Sequence, residues 1–200
     1  NLTKKFSIKN LTAEIRNTQD NNDRGFEIAF KKASTFDLEL ADTVINLKRI
    51  KNGTKIDSLL RTKGKLNFSQ IKKISSLFGL DTSNFNEING VIDLNTNVNF
   101  NLNNRFKIKN LSYLLNGNIS YFEIHTDEKS IIKNYLPEYD PKIILKDTNI
   151  KLVNFESNYK TELSGYLKVN ENFDSFKINN IYNYDKKSFH TNGIIDLTHS

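Results

Sequence analysis

The feature that most constrains the fold of this chain is a stretch in which apolar and polar residues alternate one by one. Asparagine or aspartate fills the odd positions from 93 to 101, and only Thr96 interrupts the apolar series between them. The apolar positions are Ile92, Leu94, Val98, Phe100 and Leu102. Because successive side chains of a strand point to opposite faces, this pattern predicts a strand that is apolar on one face and polar on the other.

Similar alternation recurs along the chain and predicts a mostly β fold. Asn52-Gly53, Asn103-Asn104, Asn116-Gly117 and Asn192-Gly193 predict turns between strands, since Asn and Gly accept the positive φ that tight turns require. The predicted strands cover 5–15, 25–32, 36–49, 61–68, 90–102, 105–115, 117–125, 142–155, 158–170, 174–184 and 188–198.

Two segments change from the period of a strand to the period of a helix. The apolar spacing from Ile71 to Phe78 predicts a short helix, for which Ser69 is the expected N-cap. A second short helix is predicted from Asp127 up to Pro137, where proline ends it. Both are too short to cover a sheet of many long strands.

Four weak sequence matches lie in the same order in the two halves, at offsets of about 100 to 105 residues. They favour a degenerate repeat with units 1–103 and 104–200. The absence of methionine and the opening Asn1 lead us to expect an interior piece, 1–200, of a longer β-repeat protein. The matched segments are 6–12 with 106–112, 40–47 with 145–152, 64–68 with 165–169, and 89–94 with 192–197.

The composition narrows the possible partners. A net charge of +6 is compatible with nucleic acid, but lysine greatly outnumbers arginine and no basic cluster stands out, so we expect no nucleic-acid partner. The abundant lysine, asparagine and isoleucine are also what an AT-rich genome produces. The lack of cysteine excludes disulfides and Cys-ligated metal sites.

No motif for catalysis or cofactor binding is present. His125, His190 and His199 are scattered, and a metal site from the first two is less expected than solvent-facing strand positions. Glu123 and Asp127 near His125 resemble an acid/base group, but a polar strand end that leads into a helix cap explains them more simply. We therefore expect no enzyme activity, no metal and no cofactor.

The apolar side of the strands is the remaining candidate site, and two arrangements explain it. In the first, two sheets pack face to face and bury it as a closed core. In the second, a curled sheet leaves it accessible, and lipid acyl chains are the ligand that such a surface suits. A phase slip near Asn110, where Phe106 and Ile108 give way to Leu111 and Tyr113, predicts a bulge that bends the sheet.

Several segments together resemble the AsmA-like proteins of Gram-negative envelopes, a group that includes TamB and YhdP. They are Asn-Gly-Val-Ile-Asp-Leu at 89–94, Gly-Tyr-Leu-Lys-Val at 165–169 and Phe-x-Ile-Lys-Asn-Leu at 6–11 and 106–111. The resemblance implies an elongated, taco-like curled sheet of long antiparallel strands, with an apolar inner face and one or two short helices. It also implies phospholipid transport across the periplasm and an inner-membrane anchor outside this sequence.

The expected function is thus a lipid-binding groove segment of a cell-envelope protein in outer-membrane biogenesis. The expected partners are phospholipid acyl chains and the inner membrane, with outer-membrane proteins as candidates. The alternative is a structural or adhesive surface β-repeat protein with closed cores. A carbohydrate-active domain ranks last, since Tyr182 and Tyr184 offer platforms but no carboxylate pair accompanies them. The predicted groove-lining residues are Ile92, Leu94, Val98, Phe100, Leu102, Phe106, Ile108, Leu111, Tyr113, Ile150 and Leu152.

Overall fold

Ten strands and one helix follow one another along the chain. The computed structural model describes residues 8–20, 23–78, 85–126, 142–155, 158–168 and 171–196. The elements are β1 Lys9–Asp20, β2 Asp23–Thr35, β3 Leu38–Ile50, β4 Gly53–Asn67, α1 Phe68–Phe78, β5 Phe85–Asn103, β6 Ile108–Thr126, β7 Lys142–Phe155, β8 Asn158–Lys168, β9 Phe173–Asn183 and β10 Ser188–Ile195.

All ten strands belong to one antiparallel sheet, whose spatial order is the order of the strands along the chain. β5 and β6 contain 19 residues each, which corresponds to a length of about 60 Å at the usual rise of a strand. The sheet curls but does not close into a barrel. The predicted fold class, mostly β with long antiparallel strands in a curled sheet, is therefore confirmed.

Two of the predicted turns are wrong. Asn116-Gly117 lies inside β6, so the strands predicted at 105–115 and 117–125 are one strand. A Cβ at Gly117 would lie 2.3 Å from the Asp93 carbonyl oxygen and 2.6 Å from the Leu94 side chain. This glycine therefore permits the close approach of β5 rather than a change of direction. Asn192-Gly193 likewise lies inside β10.

The bulge predicted near Asn110 is present in β6. Asn110 has a φ of 53°, and the pairing with β5 shifts register between Asn99 and Asn101. Asn10 in β1 has the same φ of 53°, and its register shift lies between Lys9 and Thr12. Asparagine tolerates this left-handed backbone better than most residues, so each bulge falls on an asparagine.

A second type of bulge occurs at two Asp-Thr pairs, which lie in the matched segments 40–47 and 145–152 of the two halves. Asp42 in β3 and Asp147 in β7 have φ values of 45° and 47°. The threonines that follow them, Thr43 and Thr148, are completely buried, and each hydroxyl donates to the carbonyl oxygen two residues earlier. The division of the chain into units 1–103 and 104–200 stays a prediction.

The predicted helix at 71–78 is confirmed as α1, but its N-cap is Asn67 rather than Ser69. The Asn67 side chain accepts a hydrogen bond from the Gln70 amide at 3.0 Å, and the Gln70 side chain accepts one from the Asn67 amide at 2.7 Å. This reciprocal capping box satisfies two backbone donors at once. The buried Gln70 also donates to the Phe36 carbonyl oxygen at 2.6 Å and so ties α1 to the β2–β3 turn. The second predicted helix, at 127–136, lies outside the described residues.

Burial is concentrated in small areas of one face of the sheet. Phe30, Ala33 and Leu40 form a buried cluster near one end of β2 and β3, while Ile92 and Phe176 are buried farther along the sheet. The total accessible surface is 14111 Å², about 1.5 times the roughly 9,700 Å² expected for a compact monomer of this mass. Much of the apolar surface is therefore not enclosed in a core.

Candidate functional site

The strand pairing places most of the apolar residues on one side of the sheet, which we call the apolar face. Directly paired residues of antiparallel strands share a face, and the row Thr62, Leu94, Gly117, Ile150 and Leu163 crosses β4 to β8 in this way. The apolar face includes Phe26, Ile28, Phe30, Ile45, Leu47, Ile56, Ile88, Ile92, Leu94, Val98, Phe100, Leu102, Ile108, Leu111, Tyr113, Leu115, Ile119, Phe122, Ile150, Leu152, Leu163, Phe176 and Ile178.

The predicted groove-lining residues lie on the apolar face, with one exception. Phe106, which was predicted to lie in a strand, belongs to the β5–β6 turn and is 83% exposed. The strand ends early because the Asn103 side chain accepts hydrogen bonds from the backbone amides of Arg105 and Lys107, each at 2.9 Å. Such local side-chain bonds offer the backbone an alternative to the ladder. Whether these residues line a lipid groove stays a prediction.

Accessibility varies along the apolar face. Ile92 near the middle of β5 is only 5% exposed, whereas Ile108 and Leu111 in β6 are 59% and 44% exposed. Val98 and Phe100 are half-buried. Along β5 and β6 the face is thus closed near Ile92 and open near the β5–β6 turn.

The apolar face is wider than the predicted set of residues. Phe26 and Ile28 in β2 and Ile45 and Leu47 in β3 extend it to one side, and Ile178 in β9 extends it to the other. These strands were predicted, but their shorter alternation did not mark them as part of the same site. The sequence does not give the register between neighbouring strands, and this register decides on which face of the sheet each residue lies.

A cavity of about 800 Å³ opens at the end of the sheet near the β5–β6 turn. Its apolar walls are formed by strand residues and by the exposed Phe106 ring. Asparagine and arginine residues lie at its margin. Among the described residues, no acidic side chain lines it. The lining residues are Asn17, Arg24, Phe26, Leu47, Arg49, Gly53, Thr54, Leu102, Asn103, Asn104 and Phe106.

The opposite side of the sheet, which we call the polar face, carries the alternating asparagines and most of the charged residues. It includes Arg61, Lys63, Asp93, Asn95, Asn118 and Lys151. Asp93 lies 3.3 Å from the Lys63 Nζ and 3.8 Å from the Arg61 Nε. Exposed pairs of this kind contribute little to stability, so the polar face is mainly a solvated surface.

Glu123 forms the centre of a hydrogen-bonded group on the polar face. It accepts from Tyr121, and its Oε1 lies 2.7 Å from His125 Nε2 and 3.1 Å from Lys142 Nζ. The bond from Tyr121, followed by the contact with His125, lowers the pKa of Glu123 to about 2. The same bond raises the pKa of Tyr121 to about 12. A carboxylate with so low a pKa is a weak proton acceptor. Asp127, the other residue of the predicted acid/base group, lies outside the described residues.

The remaining polar candidates are the histidines and the tyrosine pair. Three strands of the sheet separate His125 in β6 from His190 in β10, and the described residues contain no group of three potential metal ligands. His199 lies outside the described residues. The Tyr182 and Tyr184 rings pack edge to face with centroids 5.1 Å apart, so they contact each other rather than forming two separate platforms.

Comparison with known proteins assigns no family to the chain. No protein-family model, curated protein or solved structure matches it. The resemblance to AsmA-like proteins therefore stays a prediction. Among the described residues, no helix has both the length and the apolar character needed to span a membrane.

Proposed function

We propose that this chain is a lipid-binding segment whose apolar face accommodates acyl chains. The observation that carries the proposal is a single sheet with a continuous apolar face that no second sheet of the described residues covers. Soluble monomers rarely leave an apolar surface of this extent empty. A ligand that is itself long and apolar matches the shape of the face.

The magnitude of the hydrophobic effect favours acyl chains over small polar ligands. Each methylene group removed from water contributes about 0.8 kcal/mol, so a chain of sixteen carbons contributes about 13 kcal/mol. The polar positions on this face, such as Ser58, Thr62 and Thr96, are spread among apolar neighbours. A small polar ligand needs several convergent polar groups, which these separate positions do not supply.

The proposed setting is the envelope of a Gram-negative cell. Its support is the resemblance of segments such as 89–94 and 106–111 to AsmA-like proteins, together with the curled sheet that this resemblance implies. In this setting the chain conducts phospholipid through the periplasm towards the outer membrane. An inner-membrane anchor outside this sequence and outer-membrane proteins are the proposed partners.

The first test of the proposal is mass spectrometry of solvent extracts from the purified protein. We expect near-stoichiometric phospholipid in the wild type and its loss in Phe100→Asp, which places a charge on the apolar face. Asn101→Asp is the matched control, because it makes the same kind of change one residue away on the polar face. Circular dichroism tests whether both variants retain their strands.

Two results would contradict the proposal. Lipid retained equally in both variants would show that Phe100 does not border the binding surface. A wild-type protein that is free of lipid, melts cooperatively and unfolds on Phe100→Asp would instead support the closed structural or adhesive repeat, because a buried charge costs several kcal/mol.

A further inference from the structure

Two arginines interrupt the apolar face at one end of the sheet. Arg24 pairs with Gln19 of β1 and stands two positions from Phe26, which is on the apolar face. Arg49 pairs with Thr54 of β4 and stands two positions from Leu47, which is also on that face. Side chains two apart in a strand share a side, so both arginines belong to the apolar face, unlike most charged residues of the sheet.

The two arginines line the same cavity of about 800 Å³ at the end of the apolar face. Phe26 is 52% exposed and Phe106 is 83% exposed, so aromatic surface is available beside the two charges. Asn103 and Asn104 add amide groups at the margin, and the described residues of the lining include no carboxylate to neutralise the arginines. The cavity therefore combines an apolar wall with a positively charged margin.

We propose that this cavity holds the anionic head group of an amphiphile whose acyl chain lies on the apolar face. The inference rests on the proposed function and adds a recognition site to it. Arginine presents a planar set of donors that matches phosphate and carboxylate oxygens in a bidentate manner. A free anion would leave the Phe26, Leu102 and Phe106 surfaces without a partner, so charge and apolar character together select a lipid.

The experiment compares two lipids that share one acyl chain, lauroyl lysophosphatidic acid and monolauroylglycerol, by calorimetric titration below their critical micelle concentrations. We expect the wild type to bind the phosphate lipid about tenfold more tightly, as one additional charge-assisted hydrogen bond would give. The double variant Arg24→Gln/Arg49→Gln should lose this preference, so that the phosphate lipid binds no more tightly than the neutral lipid. Arg16→Gln/Arg61→Gln is the matched control, since it removes two arginines from the polar face.

The outcomes separate this inference from the proposed function. Equal binding of both lipids by the wild type, a preference that survives Arg24→Gln/Arg49→Gln, or equal loss in the control overturns the inference alone. Glycerol 3-phosphate binding as tightly as the phosphate lipid also overturns it, because that identifies a site for a free anion. Binding of neither lipid refutes the proposed function as well. If the double variant does not fold, the wild type still tests the inference. Its preference for the phosphate lipid must decline as the salt concentration rises, because salt screens the charges of the arginines.

Discussion

The apolar face contains positions that hold the sheet together and positions that are free to contact a ligand, and two isoleucines separate these roles. Ile92 is 5% exposed, whereas Ile108 is 59% exposed. Full burial of an isoleucine stabilises a protein by about 1.5 to 3 kcal/mol, and placing even an uncharged, unpaired polar group in such a site costs roughly a further 1 to 3 kcal/mol. We therefore expect Ile92→Asp to lower the free energy of unfolding by about 3 to 6 kcal/mol.

At Ile108 the same substitution should cost much less, because more than half of the side chain already contacts solvent. We expect Ile108→Asp to lower the free energy of unfolding by about 1 kcal/mol and to weaken the binding of a neutral monoacylglycerol. Urea unfolding followed by circular dichroism measures the stabilities, and calorimetric titration measures the binding.

Asn101→Asp serves as the control for an added negative charge and should change stability by less than about 0.5 kcal/mol. Equal destabilisation by Ile92→Asp and Ile108→Asp would refute this reasoning. It would mean that Ile108 is as well enclosed as Ile92, and that the apolar face is a core along its whole length rather than a surface with an open end.

Two further predictions concern polar groups that the fold holds in place. Gln70→Ala should lower the free energy of unfolding by about 1 to 3 kcal/mol, because it removes the capping box and the hydrogen bond to the Phe36 carbonyl oxygen. Ser69→Ala should have little effect, and both are measured by urea unfolding. Glu123→Gln should destabilise the protein at pH 7. Because the folded-state pKa of Glu123 is lowered to about 2, its stabilising contribution is complete above the ordinary value of 4.5 and declines as the pH falls towards 2. Unfolding curves of both proteins should therefore converge in acid, and a difference that stays constant with pH would contradict this assignment.

Alternation in the sequence was sufficient to predict the side of the strand on which a residue lies. In β5 the odd and even positions from 92 to 102 lie on opposite faces of the sheet as expected, and the phase slip at Asn110 predicted the bulge in β6. These predictions succeed because the two-residue period of a strand is a local property of the backbone.

Turns were less predictable because they depend on strands that are distant in the sequence, and the N-cap was less predictable because neighbouring polar residues compete for that position. The Asn116-Gly117 pair has the composition of a turn, yet β5 and β7 flank it and their ladders keep it extended. Ser69 is a residue type common at N-caps, but the side chains of Asn67 and Gln70 each accept a hydrogen bond from the other residue's backbone amide, and the N-cap lies two residues earlier.

The candidate site was predicted only in part for a related reason. The period of a strand shows that Phe100 and Leu102 share a side, but it does not show what lies opposite them. The positions of Arg24 and Arg49 on the apolar face depend on the register of β1 with β2 and of β3 with β4, which no local pattern in either segment specifies. Their role could be considered only once the strands were paired.

The simple order of the strands has a consequence for how the protein forms. Each strand pairs with the strand that follows it, so every step of assembly adds a strand to an existing edge of the sheet. In proteins built this way, stability is close to a sum of terms between neighbours, and folding can begin at more than one place. We expect amide hydrogen exchange to be slowest in the long β5–β6 pair and progressively faster towards β1 and β10, so that the outer strands open without unfolding the centre.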